Sequence, residues 1–200
     1  MPWSAFDIAS IACRALRGAA DALDAEQAVR GLDALDELAL HPVLAAGFVA
    51  EGLGVHREQP YPGAAGNPLR RDRERCDLVL TEFPSLPLLD PVAARREQGD
   101  ASGTLFATHI AATRPAGVAC DDALWLEIKA VGQYCFTDGV PGPNPTYVPD
   151  MTSWIADLSK LTRDPIILHA AAICILFAQD ERTLRHDFGI AVERAIAAAP

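Results

Sequence analysis

A carboxylate two residues ahead of an amine on an apolar strand is an arrangement with chemical consequences. Glu127 and Lys129 stand in 123-ALWLEIKAV-131, a short run rich in strand-forming residues. Side chains alternate across a strand, so these two share one face while Leu126 and Ile128 point the other way, into a core. Asp77 opens a second apolar strip, 78-LVL-80, within 74-ERCDLVLTE-82. If the two strands are neighbours, Asp77 and Glu127 converge as oxygen ligands for a hard divalent cation, Mg²⁺ or Mn²⁺, and the Ile128 carbonyl can add a third ligand. Lys129 beside that cation would orient or deprotonate a water and neutralise charge on a phosphate. The plainer alternative is a solvated strand face with an ion pair worth about 0–1 kcal/mol.

Composition sharpens the question. Of 17 basic residues only two are lysine, Lys129 and Lys160. A chain that prefers arginine so strongly marks each lysine, because a compact amine fits a tight site that the guanidinium fork does not. The formal charge of −10 excludes a protein that coats nucleic acid with a general basic surface. Residues 55–120 are charge-balanced and carry Arg70, Arg71, Arg73 and Arg75, so a local phosphate-binding surface is expected there if anywhere. Asp72 and Glu74 interleave those arginines, which also fits a solvated loop. Five cysteines include no CxxC pair and read as reduced, mostly buried thiols. The five histidines form no ligand spacing of the HxxxH kind and read as ordinary histidines. No phosphate-binding glycine loop and no GxSxG elbow is present.

The elements that must position these residues follow from periodicity and punctuation. The first fifty residues read as helical, with helix starts at Ser4–Asp7 and Asp24–Gln27. Ala28, Leu32, Leu35 and Leu38 recur at helical spacing over 25–40, and His41-Pro42 is expected to break that helix and begin the next. The stretch 55–62 and then 74–82 read as two strands of a hairpin, and 123–131 as a third strand. Between them, 83–121 holds several prolines and reads as a long irregular insertion. A Gly/Pro/Asn loop at 138–145 leads to a helix near 150–162, on which Asp157 and Lys160 read as a surface pair. The apolar run 166–178 is a core strand or a buried helix, too short to span a membrane, and 180–198 closes the chain as a helix. With no basic leader before the first apolar stretch, a cytoplasmic single domain over 1–200 is expected, its helical part at 1–40 and its core at 41–200. The order is that of an α/β sandwich.

At this point the residues resemble a known family. The succession 57-REQPYP-62, 75-RCDLVL-80, 124-LWLEIKAV-131 and 157-DLSKL-161 is similar to the PD-(D/E)xK nuclease superfamily, over roughly residues 35–190. The resemblance implies a restriction-endonuclease-like α/β fold: a central mixed sheet flanked by helices, with N-terminal helices and a long insertion between the motif strands. It implies Asp77 and Glu127 as metal ligands and Lys129 as the residue that assists the water, with Mg²⁺ or Mn²⁺ as cofactor. A glutamate on the preceding helix often joins such sites, and both Glu37 and Glu51 stand where one would. Lys160 is a further accessory candidate. Gln133 and Tyr134 resemble a helical Gln/Tyr element of related nucleases but fit core or loop packing better. The activity implied is metal-dependent hydrolysis of nucleic acid, DNA first. A homodimer or a partner protein would offset the acidic surface. The alternative is a catalytically silent module that binds other proteins.

Overall fold

The computed structural model describes residues 3–63, 74–89 and 116–198. Helix α1 (Ala5–Ala25) starts where the Ser4 hydroxyl accepts the Asp7 N–H. It runs unbroken through Asp24 to Ala25, contrary to the second helix start expected there. The chain leaves α1 through Gln27 at φ +54°, and the Ala28 N–H returns to the Leu23 carbonyl. A single 3₁₀ turn, Leu32–Ala34, follows, so the helix expected over 25–40 does not form. Only Leu32 of its spaced apolar residues is buried, while Leu35 and Leu38 are exposed.

Helix α2 (Glu37–Ala50) takes its start from Asp36, whose Oδ1 accepts the Ala39 N–H at 2.8 Å. This is a further correction, because Pro42 lies inside α2 rather than at a break. Near a helix start a proline forfeits one backbone hydrogen bond, here to Leu38, whose residue is well exposed. The helix therefore runs across residue 40. Gly47 lets it approach α1 closely, since a Cβ there would collide with Ala15. It stops at Gly52, φ +82°.

Strands β1 (Gly54–Pro60), β2 (Arg75–Thr81) and β3 (Leu124–Gly132) follow, then a small hairpin, β4 (Tyr134–Thr137) and β5 (Val140–Pro143). The hairpin replaces the loop expected at 138–145. Its turn is Asp138-Gly139, both at positive φ, the geometry that matches the twist of a two-residue hairpin. Helix α3 (Tyr147–Arg163), strand β6 (His169–Phe177) and helix α4 (Glu181–Ala198) complete the chain, so the apolar run 166–178 is a strand. Between β2 and β3 only the ends of the insertion are described, joined where Leu88 bridges Val118. The expectations for Arg70, Arg71 and Arg73, and for the middle of the insertion, lie outside the described residues.

The main sheet has the order β1-β2-β3-β6, antiparallel except for the parallel pair β3–β6, which α3 connects. It is a mixed four-stranded sheet with helices on both faces. Even-numbered residues of β2 and β3 (Leu78, Leu80, Leu124, Leu126, Ile128) pack against α1 and α2 through Ile8, Ala12, Leu40, Leu44 and Phe48. Val79 and Trp125 pack on the other face with Tyr61 and with Leu161 of α3. Met151 and Ala191 close over Val131 at one end. No described helix is long and apolar enough to cross a membrane.

Candidate metal centre in the wedge between β2 and β3

Strands β2 and β3 pair at only three positions: Leu78–Leu126, Val79–Trp125 and Leu80–Leu124. Past Leu126, β3 stays with β6 as far as Gly132–Phe177, while β2 stays with β1 through Cys76 and Arg75. Each inner strand follows its other neighbour, and a wedge opens between them. The N–H groups of β3 that face the wedge belong to Ile128 and Ala130, in step with the paired Leu126. A buried N–H needs a partner, and here both partners are carboxylates. Asp77 Oδ2 accepts from Ile128 at 2.7 Å, and Glu37 Oε2 accepts from Ala130 at 3.1 Å. Cys76 fills the point of the wedge, its thiol donating to the Leu126 carbonyl at 3.2 Å. In a strand the N–H and C=O of one residue point to the same side, so the Ile128 carbonyl also looks into the gap.

Glu127 lies on the α3 face beside Trp125 and is only 7% exposed. The Tyr61 hydroxyl donates to Glu127 Oε1, and the Tyr61 ring stacks on Trp125 with centroids 6.3 Å apart. Burial pushes the Glu127 carboxyl up to about 8; the Tyr61 hydrogen bond works against this, and the charge and hydrogen bond of Asp77 reinforce it. Tyr61 is in turn held well above its usual range, by burial first and then by Glu127. Two neighbouring carboxylates at a half-buried strand junction repel unless a proton or a cation sits between them. That donor set fits a hard divalent ion, with Asp77, Glu127 and the Ile128 carbonyl as the residues that would hold it.

Lys129 Nζ lies 3.2 Å from Glu37 Oε2. Glu37 is therefore the helix glutamate that reaches the site. Glu51, at the other end of α2 and about 20 Å along the helix axis, pairs instead with Arg14 at 2.6 Å. Lys160 pairs with Asp157 at 2.6 Å. The hydrogen bond and charge of Asp157 hold Lys160 protonated above its ordinary range, with a smaller push from Glu127. Gln133 and Tyr134 are structural. The Gln133 side chain accepts the Gln179 N–H and the Tyr134 hydroxyl donates to the Gln179 side chain, tying the ends of β3 and β6 together.

A second cluster adjoins the first. Ligand atoms of His41, Glu58 and Asp77 all lie within 4.8 Å of one another, a group that could hold a metal ion, and Glu127 does not join it. His41 follows Glu37 by one helical turn, on the face of α2 that continues into Leu44 and Phe48. The imidazole is fully buried, and neither ring nitrogen has a hydrogen-bond partner among the described residues. Glu58 lies between the paired positions Arg57–Leu78 and Gln59–Cys76 of β1 and β2, at φ +51°, in the left-handed region inside a strand. Reading the histidines as ordinary missed His41; its spacing of four from Glu37 was the available signal. The conformation of Glu58 and the contact of Tyr61 with Glu127 left no trace in residue spacing. Protein-family models, curated proteins and solved structures offer no match to this chain.

Proposed function

We propose that the protein is a metal-dependent phosphodiesterase of restriction-endonuclease-like fold that hydrolyses nucleic acid, DNA first. The observation that supports this reading is that Asp77, fixed on the Ile128 N–H, and the neighbouring buried Glu127 meet where β2 leaves β3, with Lys129 two residues along the same strand. A bound Mg²⁺ or Mn²⁺ would polarise the scissile phosphate and lower the pKa of a water. The chain's own residues do the rest. Asp77, fixed by the Ile128 N–H, presents its other oxygen to the centre. Glu127 is held in place by Tyr61. Lys129 would orient the attacking water and offset charge on the phosphate, while Glu37 holds its ammonium over the wedge and Lys160 borders the approach from α3.

The test is cleavage of plasmid and single-stranded DNA with Mg²⁺ or Mn²⁺. Wild-type protein is expected to cut, and Lys129→Ala to lose roughly 10²–10³-fold, the scale of one electrostatic or acid–base contributor. Wild-type protein that cuts neither substrate with Mg²⁺ or Mn²⁺ overturns the reading. A second reading, a silent module that binds other proteins, draws on the Lys129–Glu37 ion pair and on the charge of −10. Co-purification of a partner with a metal-free site would favour it.

A further inference from the structure

We propose that His41, Glu58 and Asp77 form a metal centre of their own, for a divalent transition ion such as Zn²⁺ or Mn²⁺, adjoining the Asp77–Glu127 pair and sharing Asp77 with it. Three ligand atoms lie within 4.8 Å of one another, so small side-chain movements bring them to the roughly 3–4 Å that metal–ligand bonds of about 2.0–2.2 Å impose on neighbouring donors. Nearness alone would not suffice, because acidic groups often gather without an ion.

The imidazole supplies the independent observation. His41 is 0% exposed and lacks a hydrogen bond at both ring nitrogens among the described residues, yet its Nδ1 points to Glu58 Oε1, 4.0 Å away. A buried polar group without a partner destabilises the fold, and a nitrogen aimed at two carboxylates is relieved of that cost by a cation between them. A direct hydrogen bond to Glu58 would require about 1 Å closer approach. The backbone of β1 supports the same geometry. Glu58 adopts φ +51° within a strand, and its carbonyl is anchored by Arg75 at 2.9 Å. That conformation is strained for a non-glycine residue, and here it accompanies a side chain directed toward His41 and Asp77.

The donor set decides the class of ion. One imidazole nitrogen and two carboxylates suit Mn²⁺, Fe²⁺ or Zn²⁺, whereas Mg²⁺ prefers oxygen and keeps its waters. The two centres thus divide by ligand chemistry, oxygen at Glu127 and mixed nitrogen and oxygen at His41. Metal binding at His41 stands whether or not the wedge hydrolyses phosphodiesters.

The experiment is titration of the full chain with Zn²⁺, Mn²⁺ and Mg²⁺ by calorimetry, with X-ray absorption of the Zn²⁺ form. One equivalent of Zn²⁺ with imidazole bound to it is expected, and Mg²⁺ at least about 10-fold weaker. Glu58→Gln, at a half-exposed position that tolerates the change, should weaken Zn²⁺ by roughly 100-fold, no less than the loss of a ligand's supporting partner costs. His41→Asn should do the same and remove the imidazole signal, while Glu51→Gln, whose partner is Arg14, should leave Zn²⁺ affinity within about twofold of wild type. Should His41→Asn fail to fold, Glu58→Gln decides the matter. Wild-type protein that takes up no Zn²⁺ or Mn²⁺, or a Glu58→Gln variant that binds as tightly as wild type, overturns the proposal. So does a Glu51→Gln variant as impaired as Glu58→Gln, which would show the loss to be unrelated to this cluster. Absence of DNA cleavage with Zn²⁺ binding intact would remove the nuclease reading and leave this centre standing.

Discussion

The same two strands, β2 and β3, behave in opposite ways at their two ends. Where they are zipped, Leu78, Leu80 and Leu126 are fully buried and Leu124 nearly so, with every ladder position taken by main-chain partners. Where they part, the N–H groups of Ile128 and Ala130 pass to Asp77 and Glu37. The zipped end gathers apolar area and the open end gathers charge, and the change takes place within one residue, between Leu126 and Glu127. A strand pair that separates early thus converts ladder positions into anchor points for carboxylates. The anchoring hydrogen bonds hold those carboxylates near one another despite their repulsion.

The largest test of this contrast is to weaken the zipped end alone. Leu126→Ala removes a fully buried side chain from the cluster shared with α1 and α2 and is expected to lower unfolding free energy by about 2–5 kcal/mol in urea. Asp77→Asn, at the open end, keeps an amide oxygen for the Ile128 N–H and removes charge beside Glu127. Its stability should match or exceed wild type while metal affinity falls. An Asp77→Asn loss as large as that of Leu126→Ala would show that the open end is structural after all.

A pH titration probes the open end without a substitution. Glu127 titrates near 8 in the folded protein, against an ordinary carboxyl value of 4.5. Its folded pKa is raised, so the stabilising contribution is fully present below about 4.5 and is lost as pH rises through about 8. In chelator-treated protein, stability should therefore fall between about pH 5 and 8, by at most about 1.4 kcal/mol per pH unit for the single proton. Equilibrium unfolding at stepped pH measures it. Glu127→Gln should flatten that slope, and added divalent metal should restore stability at the alkaline end.

How far the sequence foretold these two regions differs, for a physical reason. The zipped end was legible: alternation in 78-LVL-80 and 124-LWL-126 assigns faces directly, and the hairpin of β1 with β2 follows from punctuation around apolar runs. Glu127 and Lys129 were placed on one strand by the same rule. The helical register before Pro42 was not legible, because leucines spaced over 25–40 satisfy a helix that the stronger cap at Asp36 overrides. Asp138-Gly139 carried a hairpin signal stronger than the loop reading it received. The choice of Glu37 over Glu51, and the gathering of His41, Glu58 and Tyr61, depend on where β2 leaves β3. That point is set by packing between elements distant in the chain, so no local spacing records it.

The smallest effect separates two roles of Glu37. Its carboxylate both caps the Ala130 N–H and pairs with Lys129. Glu37→Gln preserves an amide oxygen for the cap and removes only the ion pair, whose partners are each about 30% exposed. The expected loss is therefore about 0–1 kcal/mol. Glu37→Ala removes the cap as well and leaves the Ala130 N–H without a protein acceptor, which adds about 1 kcal/mol. Urea unfolding of both variants beside wild type reads the difference. If glutamine and alanine destabilise equally, the cap contributes nothing and Glu37 is held in the wedge by Lys129 alone. If glutamine is neutral and alanine is not, the carboxylate charge is free for the metal centre and the edge of β3 is secured by the acceptor oxygen.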